Sequence, residues 1–111
     1  MSLSALKKKD NHADSSPSPT ALSPPVGCEI ELGHVQHSLP KKELAQSDIN
    51  CLNLNIAYPS DASSSSKLPV LVYIHGGGLF IGANSWPQND LYRLVKLSTE
   101  RSLPVVVVAI K

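Results

Sequence analysis

Two short runs constrain the fold more than anything else in this chain: PVLVYI at residues 69–74 and VVVVAI at residues 105–110. Both are apolar at nearly every position, so each reads as a strand that needs cover on both faces, as parallel strands of α/β sheets do. Between them, SWPQNDLYRLVKLSTERS places Leu91, Leu94 and Val95 at helical spacing, with Ser85 as a candidate cap and Pro87 suited to a first helical position. The spacing predicts a helix over residues 87–101. Strand, helix and strand then form a βαβ unit, whose hand is expected to be right.

Upstream, CLNLNIAYP at residues 51–59 puts Leu52, Leu54 and Ile56 on one side and Asn53, Asn55 and Ala57 on the other, the pattern of a strand with one buried and one wetter face. The polar SDASSSSK at residues 60–67 is a surface connection. CEIELGHV at residues 28–35 alternates weakly and is expected to form a short half-buried strand. From Asp14 the chain continues SSPSPTALSPP to Pro25 with neither period, and serine and proline there cannot bury enough surface to offset ordering entropy. Residues 1–27 are therefore expected to be a disordered Ser/Pro-rich arm, with residues 28–111 as the folded part. The last strand ends one residue before the C-terminus, and two parallel strands with one helix cannot cover their own faces. The reading that follows is an incomplete, N-terminal portion of a larger α/β domain.

Charge narrows the function. With 10 Lys and Arg, 9 Asp and Glu and a net charge of +1, no large field of either sign exists, and neither nucleic acid nor an anionic membrane is expected as a partner. Lys7, Lys8 and Lys9 make a cluster too short for an address and read as a solvated tail. No apolar run follows them, so no signal peptide is read and the default compartment is cytoplasmic. No stretch is apolar and long enough for a transmembrane helix. Cys28 and Cys51 can pair only in an oxidising compartment; without a leader they are expected to be free thiols.

Four of the six glycines stand in HGGGLFIG, three of them consecutive, at the carboxyl end of the first apolar strand, where α/β folds place their ligands. Glycine lets backbone amides turn toward a ligand with no side chain in the way. One use is a pyrophosphate cradle, since Gly76, Gly78 and Gly82 spell G-x-G-x-x-x-G. A dinucleotide site must open a helix at once, but Asn84, Ser85 and Trp86 intervene before Pro87, and Lys111 rather than an acid ends the next strand. The better fit is an oxyanion hole, because HGGG between a strand and the first helix is where lipases and esterases supply backbone donors. A plain glycine linker would be flanked by polar residues, not by VLVYI and LFIG.

Together, INCLNLNIAYP, LPVLVYIHGGGLFIGANSWPQNDLYRLV and LPVVVVAIK resemble the N-terminal part of a type-B carboxylesterase, and most closely the fungal-type members of that family, over residues 51–111. The resemblance implies an α/β-hydrolase fold: here an antiparallel edge strand plus one βαβ unit of a mostly parallel sheet. It implies hydrolysis of small-molecule carboxylic esters without a cofactor or metal. By position, Gly77 and Gly78 resemble the family glycines whose amides bind the oxyanion. Gly76 and His75 resemble the residues that support the loop, His75 not being the catalytic base. The two acids that usually precede the family's first cysteine are replaced by Ile49 and Asn50, ahead of Cys51. No G-x-S-x-G elbow occurs, so no member of a catalytic triad can be assigned, and the chain alone is expected to be inactive. A non-catalytic, cholinesterase-like interaction module stays open beside the enzyme reading. So does a naturally short, aggregation-prone product. His12, His34 and His37 read as surface histidines, and Trp86 as either a pocket wall or packing.

Overall fold

In the computed structural model the described residues are 6–10, 18–35, 38–41 and 43–110, with the backbone alone for the first group. Four strands form one sheet: β1 (Leu6–Asp10), β2 (Leu54–Pro59), β3 (Val70–Ile74) and β4 (Val106–Ile110), in the order β1-β2-β4-β3. β3 and β4 are parallel, with Val70 opposite Val106 and Ile74 opposite Ile110. Two helices accompany the sheet, α1 (Gly27–His34) and α2 (Leu91–Glu100), and α2, between β3 and β4, completes the expected βαβ unit. β2 runs antiparallel to β4, pairing Leu54 with Ile110 and Ala57 with Val107.

The face toward α2 is built from small residues. Ala57 on β2 and Val107 and Ala109 on β4 are buried, and their short side chains let Leu91 and Val95 of α2 come down onto the sheet. Val95 is fully buried, worth roughly 1.5–3 kcal/mol in apolar transfer. The opposite face carries Val70, Val72 and Ile74, which are 62%, 59% and 69% exposed. Cover on both faces was the expectation; the described residues cover one.

Three readings are corrected. Residues 28–35 are not a strand, since all but the last belong to the helix α1. Its more buried positions, Gly27, Cys28, Glu31 and Leu32, follow i, i+1, i+4 and i+5, one face of a helix, while Ile30 of the expected strand face is exposed. β2 is not an edge strand, because β1 pairs antiparallel along its free side, Leu6 opposite Pro59 and Asp10 opposite Asn55. β1 lies within the stretch expected to be a disordered arm, and residues 18–26 add a parallel bridge from Thr20 to Gln46. For β1 the physical reason is that a strand edge with open N–H and C=O groups recruits chain that local composition alone would leave unpaired.

α2 also starts later than its sequence spacing suggests. Asp90 is its cap, its Oδ1 accepting from the Tyr92 N–H at 3.0 Å, and Pro87 lies in the turns before it. Ser85, the expected cap, bonds elsewhere. Cys28 and Cys51 are free thiols. No helix among the described residues is long and apolar enough to cross a membrane. His12, His37 and Lys111 lie outside the described residues.

Candidate active site: the glycine loop

β3 delivers the chain to His75 at its carboxyl end, and the loop begins there. Gly77 has φ +121°, Gly78 +60° and Gly82 +119°. The requirement for glycine is hardest at two of these. A Cβ on Gly77 would stand 1.7 Å from the Ile81 carbonyl oxygen, and one on Gly82 would stand 2.3 Å from the Gly76 oxygen and 2.4 Å from His75 Nδ1. A Cβ at Gly76 or Gly78 would meet nothing within 4 Å.

Carbonyls in this loop turn inward. The Gly77 oxygen accepts from both the Phe80 and Ile81 N–H groups, each at 3.0 Å, and closes residues 77–81 into one turn. His75 Nδ1 bonds to the Gly76 oxygen at 2.7 Å and lies against Gly82. Among the described residues the N–H groups of Gly77 and Gly78 have no acceptor. Two backbone donors are thus left to an outside ligand on a turn whose own carbonyl is already satisfied, which suits a developing negative oxygen.

A cleft of about 420 Å³ opens beside the loop, bounded by Gly76, Gly78, Leu79, Phe80, Ile74 and Leu22. No carboxylate, lysine or arginine lines it among the described residues. Part of its wall, Thr20 to Ser23, comes from the segment expected to be disordered. Trp86 does not line this cleft; its ring packs against Gly27 at the start of α1, where a Cβ would be 3.2 Å away, and it walls two neighbouring hollows, one with Asn55, Ala57 and Leu91 and one with Thr20, Cys28 and Gln46. His34, a surface histidine in the sequence reading, is exposed and bonds through Nδ1 to the Ile30 carbonyl of its own helix at 2.8 Å.

The loop is tied to the sheet by residues that periodicity does not single out. Asn84 is buried, its Nδ2 donating to the Ala109 oxygen on β4 at 3.0 Å, and its Oδ1 accepting from Asn55 of β2 at 3.1 Å and from Ser85 Oγ at 3.0 Å. Asn89 Nδ2 donates to the Ala83 oxygen at 2.9 Å, and its Oδ1 accepts from the Tyr73 hydroxyl on β3 at 2.6 Å. Burial, with a smaller contribution from Glu31, raises the Tyr73 phenol above its ordinary value, so it stays a donor. Of the three asparagines only Asn55 carries a signal in the sequence, the strand alternation that puts it on the face shared with Ala57; Asn84 and Asn89 stand in the loop and carry none.

The helix begins nine residues beyond Gly82, so no helix N-terminus meets the glycine turn and the pyrophosphate reading lacks its main feature. No cluster of three or more potential metal ligands occurs among the described residues.

Comparison with known proteins identifies the family. The family model described as Carboxylesterase family matches residues 16–111. A secreted lipase of Arthroderma benhamiae is 36% identical over 97 residues, 82% of this chain and 17% of the lipase. Carboxylesterase 1C of Mus musculus is 49% identical over 59 residues, 53% of this chain and 10% of that protein. A solved structure of a PNB esterase superposes with a TM-score of 0.59 at 28% identity, covering 86% of this chain and 16% of the esterase. The matched part of this chain therefore spans 10–17% of the length of these relatives.

Proposed function

The chain belongs to the carboxylesterase family, and from that premise we propose that it supplies the oxyanion-stabilising loop of a carboxylic ester hydrolase, with the Gly77 and Gly78 amides as donors. The observation that carries the reading is the pair of acceptor-free N–H groups on a turn locked by the bonds of Phe80 and Ile81 to the Gly77 oxygen.

When a serine hydroxyl attacks an ester carbonyl, the oxygen takes the π pair and becomes an oxyanion; a histidine receives the serine proton and returns it to the leaving alcohol. The two amides stabilise that oxyanion at no reorganisation cost, and each such donor is worth about 2.7–4 kcal/mol. Neither the serine elbow nor an assignable base lies in these 111 residues, so the chain by itself turns over no ester and needs no cofactor for the part it plays. The cleft lining, without a carboxylate, lysine or arginine among the described residues, supports a neutral small-molecule ester with an apolar acyl or alkyl part. The likeness to proteins named lipase and carboxylesterase points the same way.

The test is hydrolysis of p-nitrophenyl esters by the protein purified from its own cells, beside the 111-residue chain expressed alone. The cellular protein should turn over substrate, Gly77→Ala should lower its kcat by about 100-fold because the added Cβ meets the Ile81 carbonyl and displaces the donors while leaving their N–H groups in place, and the short chain should be inert. No turnover by the cellular protein, or full turnover by the variant, refutes the reading.

A further inference from the structure

We infer that Asn84 is the positioning residue of the glycine loop: its carboxamide fixes where the Gly77 and Gly78 donors stand relative to the strand ends. The inference rests on the reading of those two amides as oxyanion donors.

The loop has one firm end and one loose end. At His75 it continues β3 directly. Inside the loop the bonds to the Gly77 oxygen set the shape of the turn but not its placement on the sheet. At the far end Gly82, with φ +119° and no side chain, offers a pivot. The first residue beyond the pivot held to the sheet by its own side chain is Asn84. At 2% exposure it uses both ends of its amide, donating to β4 through the Ala109 oxygen and accepting from β2 through Asn55. Ala83, between pivot and clamp, has its oxygen held by Asn89, whose other end is bonded to Tyr73 on β3. Three strands therefore converge on residues 83–84.

Only a neutral amide satisfies this set. A carboxylate at position 84 would face the Ala109 carbonyl oxygen with no proton to give, and a hydroxyl would reach one partner rather than both. Ser85 adds a third bond to Asn84 Oδ1 from the adjacent residue, and Asn55 Nδ2 also lies 3.4 Å from Ser85 Oγ. Loss of the Ser85 hydroxyl should matter less than loss of Asn84, because it removes a bond to the adjacent residue and one long contact to β2 while both bonds of the Asn84 amide to the sheet remain.

The consequence is catalytic rather than only structural, because a misplacement of about 1 Å at a reacting centre can cost about 100-fold in rate. In the protein as its own gene expresses it, Asn84→Ala and Asn84→Asp should each lower kcat by about 10- to 100-fold, with KM changed less than about twofold. Ser85→Ala should move kcat in the same direction by a few-fold. Val95→Ala serves as the control: it loosens the α2 packing away from the loop, and should leave kcat unchanged below its own unfolding temperature. A second readout needs no turnover, namely hydrogen exchange at the Phe80 and Ile81 amides. Asn84→Ala should speed it at least about tenfold without changing exchange at Val95.

A rise in KM at constant kcat, a kcat loss matched by Val95→Ala, or unchanged exchange at Phe80 and Ile81 would each overturn the inference. If the wild-type protein hydrolyses no ester, the proposed function fails, and exchange alone decides whether Asn84 holds the loop. Should Asn84→Ala not fold, Ser85→Ala answers both measurements, and no change in either refutes the clamp.

Discussion

Gly77 and Gly76 are neighbours with opposite tolerances. Adding a Cβ at Gly77 drives it into the Ile81 carbonyl from a φ that L-residues rarely adopt, whereas at Gly76 the space is open and φ is ordinary. Gly77→Ala should therefore cost roughly 2–4 kcal/mol of stability, and Gly76→Ala should be neutral or slightly stabilising through a less flexible unfolded chain. Urea unfolding of the two variants side by side checks both. The same scale holds a pH effect. Burial raises the Tyr73 phenol and the Cys28 thiol above their ordinary values; for each, the neutral form is favoured in the folded state. Their contribution is fully present below the unfolded pKa and is lost as pH rises through the folded one. Stability should fall on the alkaline side above about pH 9. Tyr73→Phe should flatten part of that slope while lowering the neutral plateau by about 1 kcal/mol, since Asn89 Oδ1 then loses its donor. The glycine run itself was legible in the sequence because three glycines after an apolar strand have few physical uses. Asn84 was not, because a lone asparagine in a loop reads the same whether it is solvated or buried; only the register that brings Asn55 opposite Ala109 separates the two.

At the scale of elements, the strands that alternate or run continuously apolar were recognisable, and β2, β3 and β4 stand within a few residues of their expected bounds. α1 was misread because its few apolar positions satisfy a period of two nearly as well as one of 3.6 over so short a span. α2 is better defined, and its end holds a correctable strain. The Ser102 N–H donates to the Thr99 oxygen and the Leu103 N–H to the Ser98 oxygen, the paired bonds of a Schellman cap, with Ser102 at φ +58°. Glycine usually fills that position, since an L-residue there costs roughly 1–2 kcal/mol. Set against the extra entropy glycine loses on folding, Ser102→Gly should stabilise the protein by about 0.5–1 kcal/mol. Thermal unfolding measures it; a lower midpoint for the glycine variant would show that the serine is not strained.

At the scale of the whole molecule, the described residues form a sheet finished on one side. α2 covers Ala57, Val107 and Ala109, while Val70, Val72 and Ile74 line up on the other face, against Val106, Val108 and Ile110 in register. The need for that cover was readable from two runs with no polar position; what provides it was not, since the described residues contain no second layer. β3 is also the outer strand, so its edge amides and its apolar face are open together, a combination that favours association between copies of an unprotected sheet. The 111 residues expressed alone should therefore scatter light at concentrations where a Val72→Lys variant remains clear. The substitution charges the open face without touching the core beneath α2, so far-UV circular dichroism and the unfolding midpoint should stay close to those of the parent. Equal scattering by parent and variant would place the association elsewhere. A variant that unfolds would show that this face is packed in the isolated chain, and that one helix is not its only cover.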